Sequence, residues 1–320
     1  MMSKPSQFLT GTLTGAAVVL GIKSYFHYRQ DLQIAEQRVI NSGKKIETQL
    51  GCVVYGTQGE GPPVLVIHGA GGGFDQALHT AQMFGRGFQW VAPSRFGYLG
   101  TPLPQNPSPE TQADAYAALL DALEIERVPI IGISAGGPSS LQFVLRHPER
   151  CTGLVMVSAV SQAMIDVASN PEVMEKLIDG FLSSDWMAWL GLQLAIHKII
   201  PPMGVPIQVI KGIDDLDTRW LQTLLAYVLP LHSRRAGLVN DFSQIFKLGV
   251  FPSNQIHIPT LIIHAQDDSL VSIKQGRFSA ELIPNSRLVE LSSGGHLLLG
   301  QRASVQSEVE PFLLQIINAD

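Results

Sequence analysis

Cysteine is almost missing from this chain of 320 residues. The two present, Cys52 and Cys151, stand far apart and form no C-x-x-C spacing. They read most simply as small buried apolar residues, with a single bridge between them as the alternative. Charge is scarce as well: Asp, Glu, Lys and Arg make up 15%, the net charge is −5, and no Lys/Arg run occurs. Phosphate backbones are bound by clustered positive charge, so no nucleic-acid partner is expected. No histidines stand at H-E-x-x-H or similar ligand spacing, and a Y-x-x-x-K pair of the short-chain dehydrogenase kind is absent. No metal and no cofactor is therefore expected.

A long apolar run is also lacking. The best candidate, residues 8–22 (FLTGTLTGAAVVLGI), is uncharged and flanked by Lys4 and Lys23, but falls short of the roughly 20 residues that cross a bilayer. Three readings stand for it. An uncleaved anchor comes first, giving membrane association, with Tyr25, Phe26 and Tyr28 at the interface. A signal peptide comes next, although no A-x-A site follows, and then a soluble N-terminal helix. With neither anchor nor export signal the chain is cytoplasmic. Residues 25–41 read as a connecting helix broken by Asn41-Ser42-Gly43, so that 1–44 is set apart from the folded domain.

What is abundant is apolar sequence, 45% hydrophobic overall, enough to bury a large core. A hairpin is expected first, residues 50–56 pairing with 64–68 across Thr57-Gln58-Gly59-Glu60-Gly61-Pro62. Short apolar runs then follow: VLVIHG (64–69), FQWVAPS (88–94), VPIIGI (128–133), GLVMVSA (153–159), TLIIHA (260–265) and RLVELS (287–292). Such near-continuous runs separated by helical segments predict parallel strands covered on both faces, an α/β fold. Ala113, Tyr116, Ala117 and Leu120 mark one of the helices, and Val305, Val309, Phe312, Leu313 and Ile316 another. Between residues 161 and 254 no buried strand is legible. So long a structureless loop is implausible, and a helical insertion is expected there, with Trp186 and Trp220 read as parts of its own core.

The chemistry concentrates at Gly132-Ile133-Ser134-Ala135-Gly136, a G-x-S-x-G run after a strand. A sharp strand-to-helix turn strains its central residue and needs tiny neighbours two positions to either side. A phosphate loop is excluded because no Lys-Ser or Lys-Thr follows the glycines. A dinucleotide loop fits His68-Gly69-Ala70-Gly71-Gly72-Gly73 poorly, since the third glycine of G-x-G-x-x-G would fall on Phe74 and no acid ends the next strand. Arg95 is the one residue there that could meet a 2′-phosphate. A serine nucleophile needs an imidazole to accept its proton and a carboxylate to orient the imidazole. Both are expected later in the chain, in the order Ser, acid, His, just beyond strand ends. Asp267 and Asp268 follow TLIIHA, and His296 follows RLVELS.

From about Leu50 onward the chain resembles the α/β-hydrolase family, through HGAGGG (68–73), APSRFGY (92–98), GISAGG (132–137), HAQDDSLVS (264–272) and GGHLLLG (294–300). The resemblance implies a mostly parallel sheet with helices on both faces and a helical cap, 161–254, inserted between late strands, the core being 45–160 and 255–320. It implies Ser134 as nucleophile, His296 as base and Asp268 as acid, with Asp267 in that role if the turn is one residue shorter. The oxyanion donors would be the N–H groups of Ala135 and Ala70, with Gly71 a neighbouring candidate. His68 is expected to support its turn, His264 to be a satisfied core residue, and His147 to sit at an exposed helix end. Arg95 is expected to anchor its loop, a substrate carboxylate being the alternative partner. Serine at the elbow sets the chain apart from the haloalkane dehalogenases and typical epoxide hydrolases of the family. The implied partner is a small-molecule substrate, small to medium and largely apolar. The implied function is that of a capped serine hydrolase cleaving an ester, resembling esterases, lipases and meta-cleavage-product hydrolases. Carbon–carbon bond hydrolysis and a non-catalytic binding module are the alternatives.

Overall fold

The computed structural model describes residues 6–164 and 184–319, with the backbone alone for 6–20 and 194–199. Eight strands form one sheet: β1 (Lys44–Thr48), β2 (Gly51–Gln58), β3 (Pro63–Ile67), β4 (Gln89–Pro93), β5 (Val128–Ile133), β6 (Cys151–Val157), β7 (Thr260–Ala265) and β8 (Ser286–Leu291). Their order is β1-β2-β4-β3-β5-β6-β7-β8. All pairings from β4 to β8 are parallel; the β1–β2 and β2–β4 pairings are antiparallel, so β2 alone runs against the other strands. The central strands are buried on both faces: Val64, Leu65, Val66, Ile67, Ile130 and Ile131 have no accessible surface. This is the physical origin of their unalternating sequence. The fold is thus the expected α/β arrangement.

The expected hairpin between β2 and β3 does not form. β3 spends both edges on parallel partners, β4 and β5, and β2 instead pairs with β1 and with β4. The turn between them leans on the entry to β4: a Cβ on Gly59 would collide with the carbonyl oxygen of Phe88, and one on Gly61 with that of Gly87. That contact carries β3 past β4. A local turn signal cannot report this choice of partner, because it is made by residues some thirty positions away.

The helices follow their sequence signals. Helix Pro109–Ala122 starts with Ser108 accepting a hydrogen bond from the Thr111 N–H at 3.3 Å, and buries Ala113, Tyr116, Ala117 and Leu120. Helix Arg302–Asn318 buries Val305, Val309, Leu313 and Ile316, while Phe312 is only half-buried. Both cysteines are free. Cys151 is buried, its thiol pushed up to about 12 by that burial, and Cys52 is half-buried.

Between β6 and β7 the chain forms helices Asp185–Ile199, Ile207–Gly212, Asp215–Ala226 and Arg235–Ile245, and no strand among the described residues. Residues 165–183 of the expected insertion lie outside the described residues. The N-terminal helix, Ser6–Ser42, is continuous through the expected connecting segment and docks on this region. Tyr28, Leu32 and Ala35 pack with Trp189 and Leu229, and the Trp189 indole N–H donates to Asp31 at 2.7 Å. Trp186 packs against Tyr25 of the same helix, with ring centroids 6.5 Å apart, so it serves this junction and not an isolated core. A stronger clamp lies further along. Asp75 accepts from Arg38 at 3.2 Å and from Arg234 at 2.7 and 3.1 Å, with the Arg234 side chain fully buried. The side chains of the candidate span 8–22 lie outside the described residues up to residue 20. Among the described residues no helix is long and apolar enough to cross a membrane.

Candidate active site

The candidate residues converge at the carboxyl ends of the parallel strands, where open α/β sheets leave a crevice. Ser134 follows β5 immediately and has φ +51°, the left-handed region that costs a non-glycine residue roughly 1–2 kcal/mol. Its small neighbours are required. A Cβ on Gly136 would stand 2.8 Å from the carbonyl oxygens of both Ile67 and His68, and one on Gly132 would stand 2.6 Å from Ser140 Oγ. Helix Gly137–Arg146 then leads away from the turn, with Pro138 in its first turn, where a missing N–H costs least.

His296 reaches Ser134 although β8 lies three strands from β5. Gly294 and Gly295, at φ +129° and +59°, turn the chain back, and the N–H of His296 donates to the carbonyl of Gly204 at 3.0 Å. The result is a hydrogen-bonded line: His296 Nε2 is 2.8 Å from Ser134 Oγ, and His296 Nδ1 is 2.8 Å from Asp268 Oδ2. The other oxygen of Asp268 accepts the N–H groups of Leu270 and Val271, each at 2.9 Å. Burial by itself would raise the pKa of this carboxyl. Hydrogen bonds from His264 and His296, the electrostatic attraction of the His296 ring and the Val271 N–H outweigh burial and bring it down to about 2. Asp267 acts elsewhere on the same loop. It accepts the N–H groups of Gly295 at 2.8 Å and Gly294 at 3.3 Å, and so holds the turn that delivers His296.

His264 is buried behind the acid, with Nε2 2.7 Å from the Val271 carbonyl and 3.3 Å from Asp268 Oδ2. Its Nδ1 has no partner among the described residues, so only half of the ring is satisfied. His147 is not an exposed end. It is half-buried, with Nε2 2.8 Å from Asp114.

The HGAGGG turn follows β3. His68 Nε2 accepts the Arg95 backbone N–H at 2.9 Å, which requires a lone pair there, and its Nδ1 lies 2.7 Å from the Gly69 carbonyl. One proton, on Nδ1, satisfies both contacts. Burial and the nearby Arg95 charge hold the pKa well below the ordinary histidine value, so the ring stays neutral. Gly71 is removed from the candidate oxyanion donors, because its N–H already donates to the Tyr98 hydroxyl at 3.1 Å. Ala70 is then the candidate on this turn. Ala135 is the second residue of the turn that opens with Ser134, where helical N–H groups have no acceptor of their own.

Arg95 is committed to protein partners and takes neither a 2′-phosphate nor a substrate carboxylate. Its guanidinium forms a bidentate pair with Asp241, one contact at 2.8 Å, and donates to the Ala135 carbonyl at 3.1 Å. Burial would lower its pKa, but the carboxylate against it prevails and raises it. Tyr98 adds a hydroxyl that donates to Asp241 at 2.6 Å. Asp241 and Gly204 carry no sequence signal that marks them for this site, and Tyr98, which closes the APSRFGY run, carries none that marks its hydroxyl. An aspartate in a polar helix reads as solvated until tertiary packing buries it.

A cavity of about 580 Å³ opens onto Ser134 and His296. Its lining includes Ala77, Met83 and Phe84 from the segment between β3 and β4, and Trp220, Leu224, Leu231, Leu238 and Phe242 from the helical interval between β6 and β7. Trp220 therefore faces the cavity and also stacks on His79, centroids 5.3 Å apart, so it is no mere internal core residue of its helix. No Asp, Glu, Lys or Arg lines this space among the described residues. They also contain no group of His, Cys, Asp and Glu side chains that could hold a metal ion.

Residues 62–303 match the family described as alpha/beta hydrolase fold. The uncharacterized hydrolase YcgS of Bacillus subtilis (strain 168) is 30% identical over 270 residues, covering 79% of this chain and 92% of the relative. A 2-hydroxymuconate semialdehyde hydrolase of Pseudomonas putida is 28% identical over 266 residues, 75% of this chain and 82% of its own. Among solved structures, an alpha/beta hydrolase fold protein from Nakamurella multipartita superposes with a TM-score of 0.70 at 29% identity, covering 85% of this chain and 99% of that one. A sheet of this order, a strained serine after its fifth strand and a match across most of the sequence lead to one conclusion: the chain belongs to the alpha/beta hydrolase fold family.

Proposed function

We propose that this hydrolase cleaves an ester, or a similar acyl bond, in a small to medium, largely apolar substrate. The observation that carries this reading is the line Asp268–His296–Ser134, closed at 2.8 Å on each side, with its serine at the wall of an apolar cavity. Ser134 Oγ attacks the carbonyl carbon while His296 Nε2 takes its proton, and ionised Asp268 stabilises the resulting imidazolium through Nδ1. The carbonyl oxygen becomes an oxyanion that the N–H groups of Ala70 and Ala135 receive, each such donor contributing about 2.7–4 kcal/mol. His296 then protonates the departing alkoxide. It next takes a proton from water, whose oxygen attacks the acyl-enzyme, and returns that proton to Ser134 Oγ as the acyl–oxygen bond breaks and the carboxylic acid leaves.

The lining favours an ester over a carboxylate-bearing substrate such as the muconate semialdehyde in the name of the relative above. A muconate semialdehyde carries a carboxylate, and a buried carboxylate requires a cation or several donors. The cavity offers neither Lys nor Arg among its described residues. A purely binding role leaves the strain at Ser134 and its alignment with His296 without a purpose.

The test is labelling with a fluorophosphonate probe beside a panel of esters of increasing acyl length. Wild type is expected to label and to hydrolyse the esters, and Ser134→Ala and His296→Ala to do neither. Labelling that survives Ser134→Ala, or a wild type that neither labels nor turns over, rejects the reading.

A further inference from the structure

Two separate loops supply the candidate oxyanion donors, Ala70 after β3 and Ala135 after β5, and a single carboxylate reaches the supports of both. Asp241 stands in helix Arg235–Ile245, far from either loop in sequence and 5% exposed. On one side it accepts the hydroxyl of Tyr98 at 2.6 Å, and that same hydroxyl accepts the Gly71 N–H at 3.1 Å. The peptide linking Ala70 to Gly71 is thereby held in place. On the other side Asp241 pairs with Arg95, whose guanidinium donates to the Ala135 carbonyl. The Arg95 backbone N–H also fixes His68, two residues before Ala70.

The helix that carries Asp241 is seated firmly on this loop. The Gly237 N–H donates to the Gly97 carbonyl and the Leu99 N–H to the Ser233 carbonyl, at 3.0 and 2.7 Å. Gly237 lies so close to the Tyr98 ring that an added Cβ would collide with it. Phe242, the next residue after Asp241, and Leu238 line the substrate cavity. The wall that would touch a bound acyl group and the carboxylate that aligns the oxyanion loops therefore belong to one rigid helix turn.

We infer that Asp241 is a positioning residue: through Tyr98 and Arg95 it couples the seating of the helix over the cavity to the alignment of both oxyanion donors. This rests on the proposed serine-hydrolase reading and extends it. With the helix seated, the Ala70 and Ala135 N–H groups are set before substrate arrives, which is the preorganisation that transition-state stabilisation needs. A network built only to hold the fold would influence substrate and transition state alike.

Tyr98→Phe is the sharpest variant, since it keeps the ring against Gly237 and His68 and deletes only the hydroxyl. Its kcat is expected to fall about tenfold or more, with KM for a short ester within about twofold, because a full donor loss costs about 10²–10³ in kcat. Affinity for a boronic acid that mimics the tetrahedral adduct should fall by the same factor, while inhibition by the product carboxylate stays unchanged. Asp241→Asn, run in parallel with thermal melts, should show the same split. Equal losses in boronate and product binding, or no loss in kcat, overturn the inference. A further measurement needs no variant: the Gly71 amide of the wild-type chain should exchange slowly with solvent, and exchange at the rate of a free loop amide overturns it. An inactive, unlabelled wild type counts against the proposed function. An active wild type matched by Tyr98→Phe counts against the coupling alone.

Discussion

Asp268 and Asp267, adjacent in sequence, serve opposite ends of the same loop: Asp268 bonds the His296 ring at 2.8 Å, and Asp267 bonds the Gly294 and Gly295 N–H groups that bring that ring into place. The division predicts different defects. Asp268→Asn should lower kcat by roughly 10³–10⁴, because an amide misorients the imidazole and cannot stabilise its charge. Asp267→Asn should keep kcat within about tenfold and cost about 1 kcal/mol of stability, the net contribution of a hydrogen bond. Steady-state kinetics and urea melts of the pair check this, and a larger kcat loss in the Asp267 variant reverses the assignment.

Acid should expose the low pKa of Asp268. Its folded value, about 2, lies below the ordinary carboxylate value near 4. A depressed folded pKa contributes stability that is complete above the unfolded value and is lost as the pH falls from about 4 through about 2. The shift corresponds to roughly 2 kcal/mol. The stability gap between wild type and Asp268→Asn should therefore narrow by that amount between pH 6 and pH 2 in denaturant titrations, and a constant gap refutes it.

The clamp at Asp75 joins three parts of the chain, since Arg38 comes from the N-terminal helix, Arg234 from the helical interval, and Arg234 also donates to the Gly72 carbonyl at 2.6 Å. Asp75→Asn leaves two guanidinium groups facing each other with no carboxylate between them. Loss of one partner from a buried ion pair costs about 3–5 kcal/mol, and a loss in that range is expected. Arg38→Ala should cost less, because Arg234 remains paired and the Arg38 side chain is partly exposed. A loss below about 1 kcal/mol for Asp75→Asn in urea melts contradicts the prediction.

Leu224, from helix Asp215–Ala226, lines the cavity. Leu224→Trp fills part of that space and should shift preference toward short acyl groups. Each methylene denied burial forfeits about 0.8 kcal/mol, close to a factor of four in kcat/KM. The ratio of octanoyl to acetyl ester kcat/KM is expected to drop at least fourfold, and an unchanged ratio places the acyl chain elsewhere.

Much of this was readable along the chain. Strands β3 to β7 and the turn around Ser134 are local: apolar runs buried on both faces, and a serine whose strained backbone demands glycines two residues to either side. Chain order, with position just past a strand end, then narrowed the candidate base to His296 and the candidate acid to two neighbouring aspartates. Tertiary structure sets Asp268 against the His296 ring and Asp267 against the Gly294 and Gly295 N–H groups, since the two differ only in which way the β7 turn points them. It also decided that β2 pairs with β1 and β4, that Gly71 is occupied by Tyr98, that Arg95 is closed by Asp241, and that Trp220 faces the cavity. Each of these depends on a partner brought close by packing, and no periodicity or turn signal records it. Backbone strain and hydrophobic pattern are properties of neighbouring residues. Charge pairing and hydrogen-bond occupancy are properties of space, settled only when the chain has folded.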